Sequence, residues 1–184
     1  KGTLVPGDGL AWFLARQMRV DSIAVTIMSN AALEGSLPGV SVVRTDVGDK
    51  HLMREMDERG ILFGAEESGH VLFADGLPGG DGVLTGLRSM AYAQATGTSI
   101  SELLENFRPM ARIKSKIPVR EKIPINSIQP LVDLLESAPE RLQGGRILLR
   151  YSGTEPVLRI LVEGHEDALI RTVHDEVVSA AKGA

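Results

Sequence analysis

Residues 145–164 read GRILLRYSGTEPVLRILVEG. Two runs of β-favouring apolar residues, 145–152 and 157–164, flank a short polar loop, which predicts two strands joined at Ser152–Pro156. The stretch 166–181, EDALIRTVHDEVVSAA, follows with Leu169, Val173 and Val177 spaced i, i+4, i+8, the period of an amphipathic helix. Upstream, 127–138 reads as a helix beyond Pro130, and 111–125, ARIKSKIPVREKIPI, as an extended, alternating, basic segment. Together these predict a small α+β unit.

The first half has a different rhythm. Helix patterns at 8–18, 48–60, 83–95 and 99–107 alternate with strand patterns at 22–29, 40–45, 61–66 and 70–75. Asp8 is the expected cap of the first helix, Gly60 closes the second, and Ser99 with Glu102 spells a capping box. Strands alternating with helices imply a mixed layered α/β domain over 1–107, with the α+β domain at 108–184.

Bulk composition narrows the function. A hydrophobic fraction of 43% supports a packed core. A net charge of −4 argues against a main task of holding nucleic acid. No apolar run approaches the roughly 20 residues of a membrane span. Without cysteine there are no disulfides and no thiolate metal sites, and a cytoplasmic location is the expectation. The four histidines lack zinc spacing, and the aspartates are scattered rather than clustered for Mg²⁺.

Two loops carry polar chemistry. In 150–156, Arg150, Ser152, Gly153 and Thr154 offer a guanidinium, two hydroxyls and backbone amides on one turn, with Gly153 free to take positive φ. Such a turn forms an anion nest beside Arg150 and Arg159, or is a plain hairpin with surface arginines. In 64–70, GAEESGH, alternation puts Glu66, Ser68 and His70 on one side. A carboxylate with a hydroxyl receives vicinal sugar hydroxyls; the alternative is a solvated turn with a structural histidine.

TIMSN (26–30), VGDKHLMREM (47–56), GAEESGH (64–70), GGDGVLTGL (79–87) and RYSGTEPVLRILVEG (150–164) together resemble the C-terminal half of the α-D-phosphohexomutases, and within them the bacterial phosphoglucosamine mutase branch. The resemblance implies a four-domain parent. Its third domain is α/β and its fourth is α+β with a four-stranded antiparallel sheet. It implies that Glu66 and Ser68, with His70, bind sugar hydroxyls. It assigns Arg150, Ser152, Gly153 and Thr154 to the phosphate that is not reacting, with Lys50 and Arg159 at the rim. The family commonly has Arg where Lys50 stands, and Glu67 matches neither the Asn or Gln of the glucosamine enzymes nor the Met of the mannose/glucose enzymes.

The resemblance further implies a phosphoserine loop and an Mg²⁺ loop, neither of which is among these 184 residues. No catalytic residue and no metal ligand is therefore expected here. The N-terminal domains of the same polypeptide are the expected partner, supplying Mg²⁺ and the serine. The expected reaction converts glucosamine 6-phosphate to glucosamine 1-phosphate through a bisphosphate. A phosphomannomutase/phosphoglucomutase and a non-catalytic sugar-phosphate binding module are the alternatives.

Overall fold

The computed structural model describes Gly2 and residues 4–183; Lys1, Thr3 and Ala184, at the outer ends of the two expected domains, lie outside the described residues. The chain divides into two compact units, one ending at Pro109 and the other beginning at Met110.

The first unit runs α1 (Gly7–Met18), β1 (Ser22–Thr26), α2 (Ala32–Ser36), β2 (Ser41–Thr45), α3 (Asp49–Arg59), β3 (Phe63–Ala65), β4 (Val71–Phe73), α4 (Gly82–Thr96) and α5 (Ile100–Leu104). The sheet order is β2-β1-β3-β4, with β1 parallel to β2 and β3, and β3 antiparallel to β4. The apolar run at Ile23–Val25 is fully buried, as a central strand requires. Leu52 and Met56, one turn apart on α3, pack on Ala24, Ile61 and Leu72. Two parallel strands delivering their chains to the same edge place the β3–β4 loop beside the start of α3.

The expected capping box at Ser99 and Glu102 is present. The expected cap at Asp8 is not. The helix begins at Gly7 behind Pro6, whose φ of −62° and ψ of 148° set the entry, and Asp8 is buried inside the first turn. The five-residue α2 has no counterpart in the sequence reading.

The second unit runs β5 (Ala111–Pro118), a 3₁₀ turn (Ile125–Ser127), α6 (Gln129–Arg141), β6 (Arg146–Tyr151), β7 (Val157–Gly164) and α7 (Asp167–Lys182). Among the described residues its sheet has three antiparallel strands in the order β5-β7-β6, not the four expected. The fourth strand came with the family resemblance; the residues themselves supply only three strand-forming runs. The extended segment 111–125 yields a single strand. It ends at Pro118, and Pro118 and Pro124 both lack the amide hydrogen that further ladder pairing needs.

One face of this sheet is the core. Ile147, Leu158, Ile160 and Val162 pack against Leu131, Ala138 and Leu142 of α6 and its C-terminal end, and against Ile170, Val173 and Val177 of α7. Ser115 lies on this face and bonds His174 of α7 at 2.8 Å, tying helix to sheet. Alternation sends Arg112, Lys114 and Lys116 of β5, Arg146 and Arg150 of β6, and Arg159 of β7 to the opposite face. Fully buried Glu163 accepts from Arg146 at 2.8 Å on that face.

Arg141 of α6 grips Glu176 of α7 through two bonds of 2.7 and 2.9 Å. Those hydrogen bonds hold the Glu176 carboxyl below its usual range. The pair is 33% and 41% exposed, so solvent screening limits it to about 0.5 kcal/mol. A depressed carboxyl contributes stability above its unfolded range and loses it as the pH falls through its folded value. Glu176→Gln should therefore lower stability by about 0.5 kcal/mol at neutral pH, with the difference from wild type vanishing in acid, as read by urea unfolding at several pH values.

Candidate functional site

The β3–β4 loop folds on its own backbone: the Glu66 N–H donates to the His70 carbonyl at 2.9 Å and the Gly69 N–H to the Glu66 carbonyl at 3.0 Å. Gly69 takes φ +96°, which closes this turn and disfavours a side chain there. The Glu66 carboxylate is fixed at both oxygens. Oε1 accepts from the Gly48 N–H at 2.9 Å and Oε2 from the Ser68 hydroxyl at 3.0 Å. Asp49, at the start of α3, receives His70 Nδ1 at 3.3 Å on one oxygen and the Gly80 N–H at 3.4 Å on the other. Glu66, Ser68 and His70 are thus brought together, with Asp49 as a member that sequence reasoning missed. Ser68 and His70 are exposed and Glu66 is half-buried. Lys50 stands exposed in the first turn of α3, and its ammonium has no hydrogen bond or ion pair among the described residues.

Behind this loop lies Gly7. A Cβ there would overlap the Glu66 carbonyl oxygen and lie 2.5 Å from the Glu67 carbonyl oxygen and 2.6 Å from the Gly69 nitrogen. The N-terminal turn of α1 is therefore the floor of the loop, and only glycine lets it approach so closely.

In the second unit, Ser152–Pro156 joins β6 to β7. Ser152 is buried and its polar atoms are engaged: its N–H donates to the Val157 carbonyl at 3.0 Å, its hydroxyl accepts from Arg159 at 3.4 Å, and its carbonyl accepts from the Lys122 ammonium at 2.7 Å. The next three residues differ. The amides of Gly153, Thr154 and Glu155 have no protein acceptor among the described residues, and the Thr154 hydroxyl has no partner there either. Gly153 and Thr154 are exposed. Gly153 does not adopt the positive φ expected of it; a Cβ there would meet nothing within 4 Å. Its smallness leaves the backbone open to approach.

Electrostatics point the same way. Arg150 and Arg159 are direct cross-strand partners, a like-charge pairing that is unfavourable by itself. Arg159 is partly neutralised by Glu155 at 3.7 Å. The Arg150 guanidinium has no hydrogen bond or ion pair among the described residues. Three consecutive exposed amides without a protein acceptor, a hydroxyl and a guanidinium without an ion pair are donor types that suit an anion with several oxygens.

The family resemblance implies Mg²⁺. Asp49, Glu66 and His70 have ligand atoms within 4.8 Å of one another. They do not fit that ion. Mg²⁺ takes an octahedron of oxygens, whereas this set includes an imidazole and its carboxylate oxygens already accept protein hydrogen bonds.

A family model described as phosphoglucomutase/phosphomannomutase, alpha/beta/alpha domain III, matches residues 6–110, and one described as phosphoglucomutase/phosphomannomutase, C-terminal domain, matches residues 116–180. The chain belongs to the phosphohexomutase family. It is 38% identical over 190 residues to the phosphoglucosamine mutase of Sulfurovum sp. (strain NBC37-1), covering 99% of this chain and 42% of that protein. The phosphoglucosamine mutase of Nautilia profundicola is 40% identical over 175 residues, covering 91% of this chain and 39% of that protein. A solved Aspergillus fumigatus N-acetylphosphoglucosamine mutase, in complex with GlcNAc-6P and magnesium, has the same fold with a TM-score of 0.76 at 17% identity, covering 97% of this chain and 47% of that chain. The phosphohexomutase chain thus spans less than half the length of the relatives it matches, and the match falls on their third and C-terminal domains.

Gly7→Ala should displace the 66–69 backbone and lower stability by about 1–3 kcal/mol, the usual cost of overpacking. Thermal unfolding and the amide shifts of residues 66–69 would show both effects; wild-type shifts in a fully stable variant would contradict the floor assigned to Gly7.

Proposed function

We propose that this chain provides substrate binding for a hexose-phosphate phosphomutase, with glucosamine 6-phosphate and glucosamine 1-phosphate as its ligands. The β6–β7 loop takes a phosphate that is not being transferred, through the amides of Gly153, Thr154 and Glu155 and the Arg150 guanidinium. The β3–β4 loop takes sugar hydroxyls through Glu66, Ser68 and His70, and Lys50 stands at its rim. The run of exposed donors at 153–155, without a protein acceptor among the described residues and close in sequence to Arg150, is the observation that carries this reading.

Such a division suits phosphoryl transfer, where most of the catalytic task is positioning and charge stabilisation. Binding energy gathered at the sugar and at a remote phosphate holds the reacting end in place. The reacting serine and Mg²⁺ are assigned to residues beyond these 184, so this chain alone should show no turnover with Mg²⁺ and a hexose bisphosphate. The phosphoglucosamine mutases among its relatives support the glucosamine assignment.

Calorimetric titration of the chain tests the proposal. Arg150→Ala should weaken both inorganic phosphate and glucosamine 6-phosphate at least tenfold, about 1.4 kcal/mol. Glu66→Gln should weaken the sugar phosphate and leave inorganic phosphate within about twofold, since hydroxyl recognition is what the carboxylate supplies. A loss below twofold for Arg150→Ala would remove the arginine from the site, and tighter binding of mannose 6-phosphate would replace the glucosamine assignment.

A further inference from the structure

We propose that Lys122 is a positioning residue of the β6–β7 loop: its ammonium fixes the Ser152–Gly153 peptide so that the Gly153 N–H is presented to the bound anion. This rests on the phosphate-binding reading of that loop and adds to it a residue from a distant part of the sequence.

The argument is one of peptide geometry. In a planar trans peptide the C=O and the following N–H point in opposite directions. The Ser152 carbonyl and the Gly153 N–H belong to one such unit. Lys122 Nζ lies 2.7 Å from the Ser152 oxygen, and no other protein bond reaches this peptide among the described residues. Holding the carbonyl on the lysine side holds the N–H on the other. Without the lysine no protein hydrogen bond among the described residues would fix this peptide, and Gly153, lacking a Cβ, adds little steric restraint on its side of it.

The lysine is well placed for this. The segment 119–123 straps along the loop at fixed points: the Val119 N–H donates to the Pro156 carbonyl at 2.9 Å, and the Tyr151 hydroxyl to the Ile123 carbonyl at 2.7 Å. Lys122 therefore reaches the loop from an anchored backbone. Its charge also polarises the peptide it holds, which strengthens the Gly153 N–H as a donor. An ammonium bonded to the carbonyl thus acts on the anion through the peptide, without touching it.

The test uses the 184-residue chain, inorganic phosphate as probe, and the ¹H–¹⁵N resonance of Gly153 as reporter. Lys122→Met should move the Gly153 resonance in the absence of phosphate and weaken phosphate binding about tenfold. Lys122→Arg, which restores a charged donor, should bring both within about threefold of wild type. Arg120→Met removes a neighbouring exposed cation as a control for net charge and should change affinity less than twofold. Wild-type affinity in Lys122→Met, or equal losses in Lys122→Met and Arg120→Met, would overturn the positioning role. If wild type itself gives no saturable shift at Gly153 or Thr154, the phosphate-binding reading falls and this inference falls with it.

Discussion

The β6–β7 connection holds three consecutive backbone N–H groups, those of Gly153, Thr154 and Glu155, exposed and without a protein acceptor among the described residues, so that a ligand has only water to displace from them. The rest of the second unit makes that arrangement possible. The pairing of β6 with β7 stops at Tyr151 and Leu158, and the Ser152 N–H closes the turn on Val157. The N–H, hydroxyl and carbonyl of Ser152 are all bonded within the protein, whereas the three amides that follow are exposed. The same register sets Arg150 opposite Arg159, a repulsion that a bound anion would relieve. On the opposite face α6 and α7 pack against this strand pair.

The first unit solves the complementary problem of aiming a carboxylate. Glu66 leaves the end of β3, where β1 and β3 run parallel and the start of α3 stands alongside. Gly48 and Ser68 each take one of its oxygens, so the group is held without being buried. Asp49 does the same for the His70 ring, and Gly7 supplies a floor that tolerates no side chain. A carboxylate fixed in this way loses little entropy on meeting a sugar hydroxyl.

Local pattern made the strands and helices readable in the sequence, because apolar spacing reports which face is buried. Ser99 and Glu102 were legible as a cap since their partners lie three residues apart. Asp8 was misread because Pro6 already occupied the N-cap position. The fourth strand of the second sheet was a family expectation that no run of residues supported. Both loops were visible from composition, yet two of their supports were not. Asp49 meets His70 across 21 positions, and Lys122 meets Ser152 across 30. Such pairings exist only once strand register brings distant segments together, and no local periodicity encodes them.

The central claim is a division of labour between the two loops, and an amide-resolved NMR titration of this chain addresses it most directly. Inorganic phosphate should shift residues 153–155 and leave residues 64–70 where they are, while glucosamine 6-phosphate should shift both sets. Phosphate perturbing 64–70 first, or glucosamine 6-phosphate perturbing neither loop at millimolar concentration, would contradict it.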